Sequence, residues 1–565
     1  MDDNTLKNTL VGLAALLHDI GKAYQRSGKK LSSKYKNTEE WQILLNKYSH
    51  YHSLHTAEFF DNQIENSYIN KLWSESFPEI SMQKASAGHH NPQDYLTQIV
   101  AISDQIASGF DRERYEIRSN KKPYDYRKVH LAPLLKHVSL QKDIVDKDYR
   151  YNLEEISVNS IFPVHKNELS NIKVEEKYEN LVNNFEKDLK KIFANKKFDI
   201  FISEIQTIFE KYFSFVPSST LDEYDEISLF DHSKTSAAFA ASTYDYFSKE
   251  NLDKLNYNQI KDKNLYMLIR GEFFGIQKFI FGDDTENSQN TAKALRGKSF
   301  YVSILSQLTA YHIIKEIKLP SFNIMLNAAG MFVILAPNKE TVKQKIKDIK
   351  AEINDWLYDT FYGEVSFGIV NVESSPKDYI DKRFEKLWLD LISLMEHEKY
   401  AKFNLTKRKS LFEDYHKEFD VSGSCNTCGK RSATNNNNCE MCNTFIDIGK
   451  QLVNNRYLHL YEKKKGEFFQ RYSIKFSNEI QLSNEYIDVL DLEPLKSYEG
   501  GSIVYINNYV PKNNYEIMSF EEIVENNNSE RKKPLGILKA DVDNLVSPEK
   551  LDNYLIILEL TKEIC

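Results

Sequence analysis

The order of apolar segments between residues 265 and 370 constrains the fold of this 565-residue chain more than any other feature. Hydrophobic period and segment length predict alternating strands and helices there. The predicted order β-α-β-β-α-β is that of the ferredoxin-like split motif, which is also the palm of many nucleotide polymerases and cyclases. The predicted elements are a strand at 265–270, helix in GIQKFIF and in AKALRGKSFYVSILSQLTAYHIIKEI, strands at 322–327 and 331–336 joined by an Ala-Ala-Gly turn, a helix at about 339–357 and a strand at 364–370.

The acids that a catalytic palm needs are missing from this block. Such palms hold two metal ions with one carboxylate at the end of the first strand and another on the hairpin between the middle strands. Here the first strand runs into RGE (270–272) and the hairpin reads NAAG (327–330). We therefore predict that this palm binds or scaffolds without catalysing by that mechanism. A later apolar strand in PLGILKADVDNL (534–545) ends in Asp541 and Asp543 and is a candidate for the start of a second palm.

The first 115 residues predict an all-helical block with scattered histidines. Residues 6–24 have apolar side chains at helical spacing, which places the pair His18-Asp19 on a helix near its end. Imidazoles and carboxylates on neighbouring helices can hold one or two divalent transition metals and lower the pKa of a bound water for attack on phosphorus. We therefore predict a hydrolytic metal site, with His50 and His55 as histidines that merely pack. Its candidate residues are His18, Asp19, His52, His89, His90 and Asp104.

Four of the five cysteines lie within eighteen residues, in the pattern Cys-x-x-Cys, ten residues, Cys-x-x-Cys. Two such knuckles supply four thiolates in the tetrahedral arrangement that suits zinc, and Gly429 permits the tight turn after the first pair. Without an open coordination position the metal is predicted to be structural. An iron site or a redox pair remains the alternative. The four residues are Cys425, Cys428, Cys439 and Cys442, which leaves Cys565 over.

A net charge of -8 means that the whole molecule does not attract nucleic acid by bulk electrostatics, so any polynucleotide contact must be local. No run approaches the ~20 apolar residues of a membrane span, and the first ten residues carry acids where a signal peptide carries bases. We therefore expect a cytoplasmic protein without membrane contact. The candidate basic patches for nucleotide or RNA contact are Lys121, Lys122, Arg127 and Lys128, and Lys293, Arg296 and Lys298.

Together these features predict a multidomain α+β protein, since 565 residues exceed what one core supports. The predicted segments are an HD-type helical metal-dependent domain at 1–115, a linker and helical region at 116–258, a first ferredoxin-like palm at 259–417, a zinc-binding knuckle domain at 418–455, a strand-rich connection at 456–530 and the beginning of a second palm at 531–565.

Several motifs, taken in order, resemble one known family over essentially the whole chain. They are LLHDIGK, IASGFDR, FVPSST, ISLFDHSKTSAAFA, FFGIQKFIF with ALRGKSFY, the four cysteines and LKADVDNL. The chain resembles the large subunit of type III-A (Csm) CRISPR effector complexes. In that family the HD domain is circularly permuted, so that the His-Asp pair leads and the other ligands follow.

The resemblance implies a subunit that assembles with the other type III-A subunits and a guide RNA and responds to a target RNA. It implies cleavage of single-stranded DNA at the HD site with a divalent metal of the Mn, Ni or Co class. It also implies synthesis of cyclic oligoadenylate from ATP and Mg²⁺ by a second palm with a Gly-Gly-Asp-Asp hairpin. The family's HD ligands match His18, Asp19, His52, His90 and Asp104, with His89 adjacent to them. The first metal-binding acid of the second palm matches Asp541.

The chain departs from the family at one point, because it contains no Gly-Gly-Asp-Asp sequence and the family pattern ends after Leu545. We therefore expect a shortened chain without cyclase activity. Two rival functions remain open. One is an HD phosphohydrolase that acts on a small nucleotide second messenger. The other is a ribonucleoprotein scaffold in which no active site works.

Overall fold

The structure is a computed structural model. It describes residues 2–37, 51–108, 128–133, 148–169, 173–193, 197–219, 226–247, 255–282, 290–380, 383–403, 423–434, 437–481, 483, 485–493, 496–506, 510–513, 516–518 and 522. Several residues named above lie outside the described residues: His50, Lys121, Lys122, Arg127, Asp541, Asp543 and Cys565.

Helices and strands are mixed along the described residues, as predicted for an α+β protein. The helices are α1 Asp3–Leu16, α2 Gly21–Arg26, α3 Ser33–Asn37, α4 Tyr51–Phe59 with a π turn at Phe60–Ile64, α5 Tyr68–Ser76, α6 Met82–Ala87, α7 Tyr95–Ala107, α8 Val174–Ile192, α9 Phe198–Phe213, α10 Leu229–Phe247, α11 Tyr257–Ile260, α12 Ile276–Phe281, α13 Thr291–Glu316, α14 Glu340–Phe361, α15 Phe384–Glu398 and α16 Glu440–Gln451. The strands are β1 Tyr149–Arg150, β2 Val164–His165, β3 Tyr266–Phe274, β4 Ile324–Ala328, β5 Met331–Pro337, β6 Ser366–Ser374, β7 Tyr457–Gly466, β8 Gln470–Ser477, β9 Tyr486–Asp491, β10 Ser502–Ile503, β11 Lys512–Asn513 and β12 Glu516–Ile517.

The prediction that His18 and Asp19 lie on a helix near its end is wrong by a few residues. Helix α1 ends at Leu16 and α2 begins at Gly21, so His18 and Asp19 lie in the turn between two helices. The turn arises because α2 passes directly over the backbone of α4. A Cβ atom on Gly21 would lie 2.0 Å from the carbonyl oxygen of His52, a crossing that only glycine permits.

Residues 266–374 form a four-stranded antiparallel sheet in the order β4-β5-β3-β6. The chain order β3, α12 and α13, β4, β5, α14, β6 is the predicted β-α-β-β-α-β order. The β4–β5 turn places Ala329 and Gly330 at φ 51° and 77°, the left-handed values of a tight hairpin. This hairpin carries no carboxylate, in agreement with the sequence.

Both faces of this sheet are covered. Along β3, Tyr266 and Leu268 belong to a core shared with the helical part, whereas Met267 and Ile269 belong to a core shared with the strand-rich part. The alternation follows the two-residue period of a strand and explains why the segment is apolar throughout. The sheet therefore joins the helical part to the strand-rich part.

The strand-rich part forms a second four-stranded sheet, β10-β9-β7-β8, which follows α16. Helix α16 crosses α13 at two glycines. A Cβ on Gly297 would lie 1.8 Å from the Phe445 carbonyl oxygen, and one on Gly449 would lie 2.0 Å from the Lys293 carbonyl oxygen. Within the described residues we find no helix that is long and apolar enough to cross a bilayer.

Candidate metal centre in the helical part

The turn that carries His18 and Asp19 is fixed by hydrogen bonds to α4. The Thr56 hydroxyl accepts from the Gly21 backbone N–H at 3.1 Å and donates to the His18 carbonyl oxygen at 2.9 Å. The Nδ1 atom of His18 lies 2.6 Å from the carbonyl oxygen of Ala15, at the end of α1. These contacts leave Nε2 of His18 and the Asp19 carboxylate pointing into the interior of the helical part.

A first cluster forms where this turn meets α7 and α10. Its side chains are fully buried or nearly so. Nε2 of His18 lies 3.3 Å from Oδ2 of Asp19 and 3.7 Å from Oδ1 of Asp104. Nε2 of His232, on the first turn of α10, lies 3.3 Å from each of the same two oxygens. Two imidazoles and two carboxylates thus converge on one point.

A second cluster shares Asp19 and lies towards α4 and the turn after α6. Oδ1 of Asp19 lies 3.2 Å from Nε2 of His52 and 3.8 Å from Nε2 of His89. The Nε2 atoms of His52 and His90 are 2.9 Å apart. In each cluster the four candidate ligand atoms lie within 4.8 Å of one another, so the two clusters form a pair bridged by one carboxylate.

Several atoms in these clusters are buried without a hydrogen-bond partner: Nε2 of His18, His89 and His232, and Oδ1 of Asp19. The Nδ1 atoms of His18 and His89 face the carbonyl oxygens of Ala15 and Ser86, which assigns the ring proton to Nδ1 in the neutral form. The remaining nitrogens then present lone pairs to carboxylate oxygens. A cation between them removes this conflict, so the donor set fits a divalent metal.

The charges in the clusters favour a positively charged group next to the shared Asp19 carboxylate. Burial lowers the pKa of His18, but the carboxylates of Asp19 and Asp104 outweigh it and raise the value to about 10. Burial alone would raise the pKa of Asp19, yet Lys22 and His18 hold it well below its usual range. Burial lowers the pKa of His89 to about 3. The centre thus combines an ionised Asp19 with a protonated His18 and a neutral His89 near neutral pH, so a cation that binds there displaces the His18 proton.

The structure brings together all six residues predicted from the sequence for this site. His55 is buried on α4 outside both clusters, and its burial lowers its pKa to about 4. The sequence reasoning missed His232. Its signal was present, since the motif ISLFDHSKTSAAFA contains a histidine after a serine-aspartate helix start. The Ser228 hydroxyl does accept from the Asp231 backbone N–H at 2.9 Å, as a helix cap, and donates to the Asp231 carboxylate.

The four cysteines form a separate cluster. Their sulfur atoms lie within 4.8 Å of one another, with Cys428 and Cys439 3.9 Å apart, and none forms a disulfide. The backbone N–H of Cys439 donates to the sulfur of Cys425 at 3.1 Å, and that of Cys442 donates to Cys439 at 3.4 Å. Amides that point at sulfur favour the thiolate form, which is the form that binds zinc.

The second predicted basic patch lies where α13 meets α16. Nη1 of Arg296 donates to a carbonyl of α16 at 3.0 Å, and Nζ of Lys293 lies within 3.4 Å of a neighbouring side-chain oxygen. Lys298 is 5% exposed, and its ammonium lies 5.9 Å from the ring centre of Phe445. These side chains pack between helices, and their nucleotide contacts stay a prediction. Of the first patch, Lys128 lies in the described residues and is exposed.

Comparison with known proteins shows what the chain is similar to. Residues 265–414 match the family model for the Csm1 subunit domain B. A protein from Methanocaldococcus jannaschii, named CRISPR system single-strand-specific deoxyribonuclease Cas10/Csm1 (subtype III-A), is 26% identical over 626 aligned positions that cover 96% of this chain and 74% of the relative. The protein of the same name from Enterococcus italicus is 24% identical over 78% of this chain and 56% of its own length.

Solved structures show the same fold. The Csm1-Csm4 subcomplex of a type III-A CRISPR-Csm interference complex matches with a TM-score of 0.62 and 20% identity over 93% of this chain and 63% of the matched chain. The Csm1-Csm4 cassette in complex with cA3 matches with a TM-score of 0.61 and 20% identity. The chain thus spans less than two thirds of the matched structures. In sequence and in fold, the chain is similar to the Csm1 (Cas10) proteins of CRISPR subtype III-A.

Proposed function

We propose that this chain is a metal-dependent nuclease that cleaves single-stranded DNA, working as the large subunit of a type III-A CRISPR complex. One observation carries the proposal. Five imidazoles and the Asp104 carboxylate, from distant segments of the chain, converge on the Asp19 carboxylate in two clusters. Support comes from the relatives, whose names describe a single-strand-specific deoxyribonuclease. The Csm4 chains of the matched structures support a partner subunit of that kind.

In this proposal the clusters would hold divalent metal of the Mn, Ni or Co class, through His18, Asp104 and His232 with Asp19 in the first cluster and through His52, His89 and His90 with Asp19 in the second. Bound metals supply the charge that lowers the pKa of a water molecule and stabilises negative charge on the phosphorus. The residues orient this centre: Ala15 and Ser86 fix the rings of His18 and His89 through Nδ1. Hydrolysis forms a P–O bond to the water oxygen and breaks a P–O ester bond, with a proton passing to the leaving oxygen.

We also propose that the four-cysteine cluster holds a structural zinc ion. The four thiols leave no position for a substrate or water in a tetrahedral site. The cluster lies at the N-terminus of α16, where Cys439 is the N-cap residue. The zinc ion then fixes the start of the helix that packs on α13.

The sheet of β3–β6 is proposed as a non-catalytic palm, because its hairpin has no carboxylate to hold a metal ion. Guide RNA, target RNA and ATP are proposed partners of the assembled complex through the resemblance. The segment boundaries predicted from the sequence also remain proposals.

A cleavage assay tests the nuclease proposal. The chain, alone and assembled with its partner subunits and target RNA, is incubated with Mn²⁺ and a labelled single-stranded oligonucleotide, its duplex or a cyclic dinucleotide. We expect cleavage of the single strand alone. His18→Ala should lower the rate by more than ~100-fold, the upper end for losing a residue that only orients a ligand.

Two other outcomes would favour the rival functions. Hydrolysis of the cyclic dinucleotide without cleavage of the oligonucleotide would indicate a second-messenger phosphohydrolase. Assembly with bound RNA and no cleavage of any substrate would indicate a scaffold.

A further inference from the structure

Lys22 is a charged side chain in contact with the metal centre that has no role in holding metal. Its Nζ atom lies 2.5 Å from Oδ2 of Asp19. The same oxygen lies 3.3 Å from Nε2 of both His18 and His232. The ammonium therefore touches the oxygen that belongs to the first cluster, whereas the second cluster uses Oδ1.

The position of Lys22 is set by the same turn that positions the metal centre. It is the second residue of α2, and its backbone N–H donates to the Asp19 carbonyl oxygen at 2.9 Å. The close crossing of Gly21 over α4 leaves this part of α2 little freedom. The side chain thus starts from a fixed point next to the cluster.

The Lys22 side chain is partly exposed to solvent, although its ammonium contacts the buried centre. The Lys22 side chain is 22% exposed, compared with 2% for Asp19 and 0% for His18. His52, at 11%, is the other partly exposed neighbour of Asp19. A phosphodiester that approaches the buried cluster from solvent on this side meets a positive charge first.

We propose that Lys22 is a substrate-contacting residue that binds a backbone phosphate of single-stranded DNA. This inference rests on the proposed nuclease function. A cation held by the Asp19 carboxylate would compete with the Lys22 ammonium for it, which would leave Nζ available to an incoming phosphate. A chain with a net charge of -8 needs such local cations to hold a polyanion.

The alternative is that Lys22 only neutralises Asp19. The two roles differ in the metal-loaded protein, because a neutralising lysine has no effect on DNA once metal holds the carboxylate. Lys22→Met and Lys22→Arg separate them. Lys29→Met is the matched control, since Lys29 lies just after the same helix but pairs with Glu186 at 3.2 Å, away from the clusters.

The experiment measures binding of a labelled single-stranded phosphorothioate oligonucleotide, which keeps its charge but resists cleavage, to the full chain in Mn²⁺ over a range of salt. Lys22→Met should weaken binding by roughly 5-fold to 10-fold and reduce the slope of log Kd against log salt by about one. Lys22→Arg should keep the wild-type slope, and Lys29→Met should match wild type. Calorimetric titration with Mn²⁺ should show Lys22→Met binding metal as tightly as wild type or more tightly.

An unchanged slope of log Kd against log salt in Lys22→Met would overturn the inference. Loss of Mn²⁺ binding in that variant would overturn it as well, because Lys22 would then be a positioning residue. Either result can occur while the wild-type chain still cleaves single-stranded DNA, and the nuclease proposal would then stand. A wild-type chain that neither binds Mn²⁺ nor cleaves the unmodified oligonucleotide would overturn both.

Discussion

The histidine–carboxylate clusters take their side chains from five segments spread over residues 18–232, whereas the four-cysteine cluster takes all its thiols from residues 425–442. The first centre exists only when α4, α7 and α10 pack against the turn after α1. The second needs one turn and the start of one helix. A site built by long-range packing depends on the whole helical core, and a site built locally can stabilise the segment that carries it.

This difference decides what a single substitution does. Removal of a ligand from the histidine–carboxylate clusters should leave the fold intact, because the surrounding core is apolar and extensive. Removal of a cysteine should unfold its own segment, because the cluster of cysteines has few apolar neighbours.

The largest effect on activity is expected for His232→Ala. His232 contacts both carboxylates of the first cluster, so its loss should lower cleavage of single-stranded DNA by more than ~100-fold, beyond the effect of residues that only orient ligands. Circular dichroism should show an unchanged helix content. His55→Ala, which also removes a buried histidine but outside the clusters, is the control. Equal loss of activity in both variants would show that His232 acts through packing alone.

The sequence predicted the two centres unequally well. The cysteine spacing is a local pattern. The four residues that meet in space could therefore be predicted from one stretch of eighteen residues. His18, Asp19 and Asp104 were found because they stand in recognisable motifs. His232 was missed although it stands in a helix-start motif, because its approach to Asp19 comes from the packing of α10 on α1 and α7. The end of the first helix was placed too late, and the close contact of Gly21 with α4 is likewise a long-range feature that a local pattern does not show.

The ferredoxin-like sheet could be predicted from hydrophobic period because each of its strands is apolar and bounded by turns. The position of this sheet between two hydrophobic cores could not be predicted from the sequence. The alternation of Tyr266 and Met267 between two different cores appears only when the helical part and the strand-rich part are both present. For Lys298 the sequence suggested a surface cation, but packing of α16 buries it.

The second largest effect is expected for Cys442→Ser. Zinc content measured by mass spectrometry should fall by about one ion per chain, and limited proteolysis should cut between residues 423 and 451. Structural zinc contributes ~10–16 kcal/mol in small zinc-binding peptides, far more than this short segment gains from its apolar contacts. Thr444→Ala, an exposed position on the same helix, is the control. Retained zinc with unchanged proteolysis would argue against a metal-dependent segment.

A smaller effect is expected where the cysteine-bearing helix α16 crosses α13. Gly297→Ala places a methyl group 1.8 Å from the Phe445 carbonyl oxygen, so α13 and α16 must separate. We expect a loss of roughly 1–3 kcal/mol in the free energy of unfolding, the usual range for overpacking. Ser303→Ala, exposed on the same helix, should change stability little. Equal denaturation midpoints for the two variants would contradict the close helix crossing.

The smallest effect on activity is expected for His55→Gln. This substitution should instead change how the free energy of unfolding depends on pH. Burial lowers the pKa of His55 to about 4, below its ordinary value of 6.5. Between pH 6.5 and 4 the unfolded chain takes up a proton that the folded chain does not, so this histidine makes stability fall as the pH falls through that window. A shift of this size corresponds to at most ~3 kcal/mol. His55→Gln should flatten the loss of stability measured by urea unfolding between pH 6.5 and 4 and leave metal binding unchanged. A variant with the wild-type slope would show that His55 has the same pKa in the folded and unfolded chains, contrary to the lowering expected from its burial.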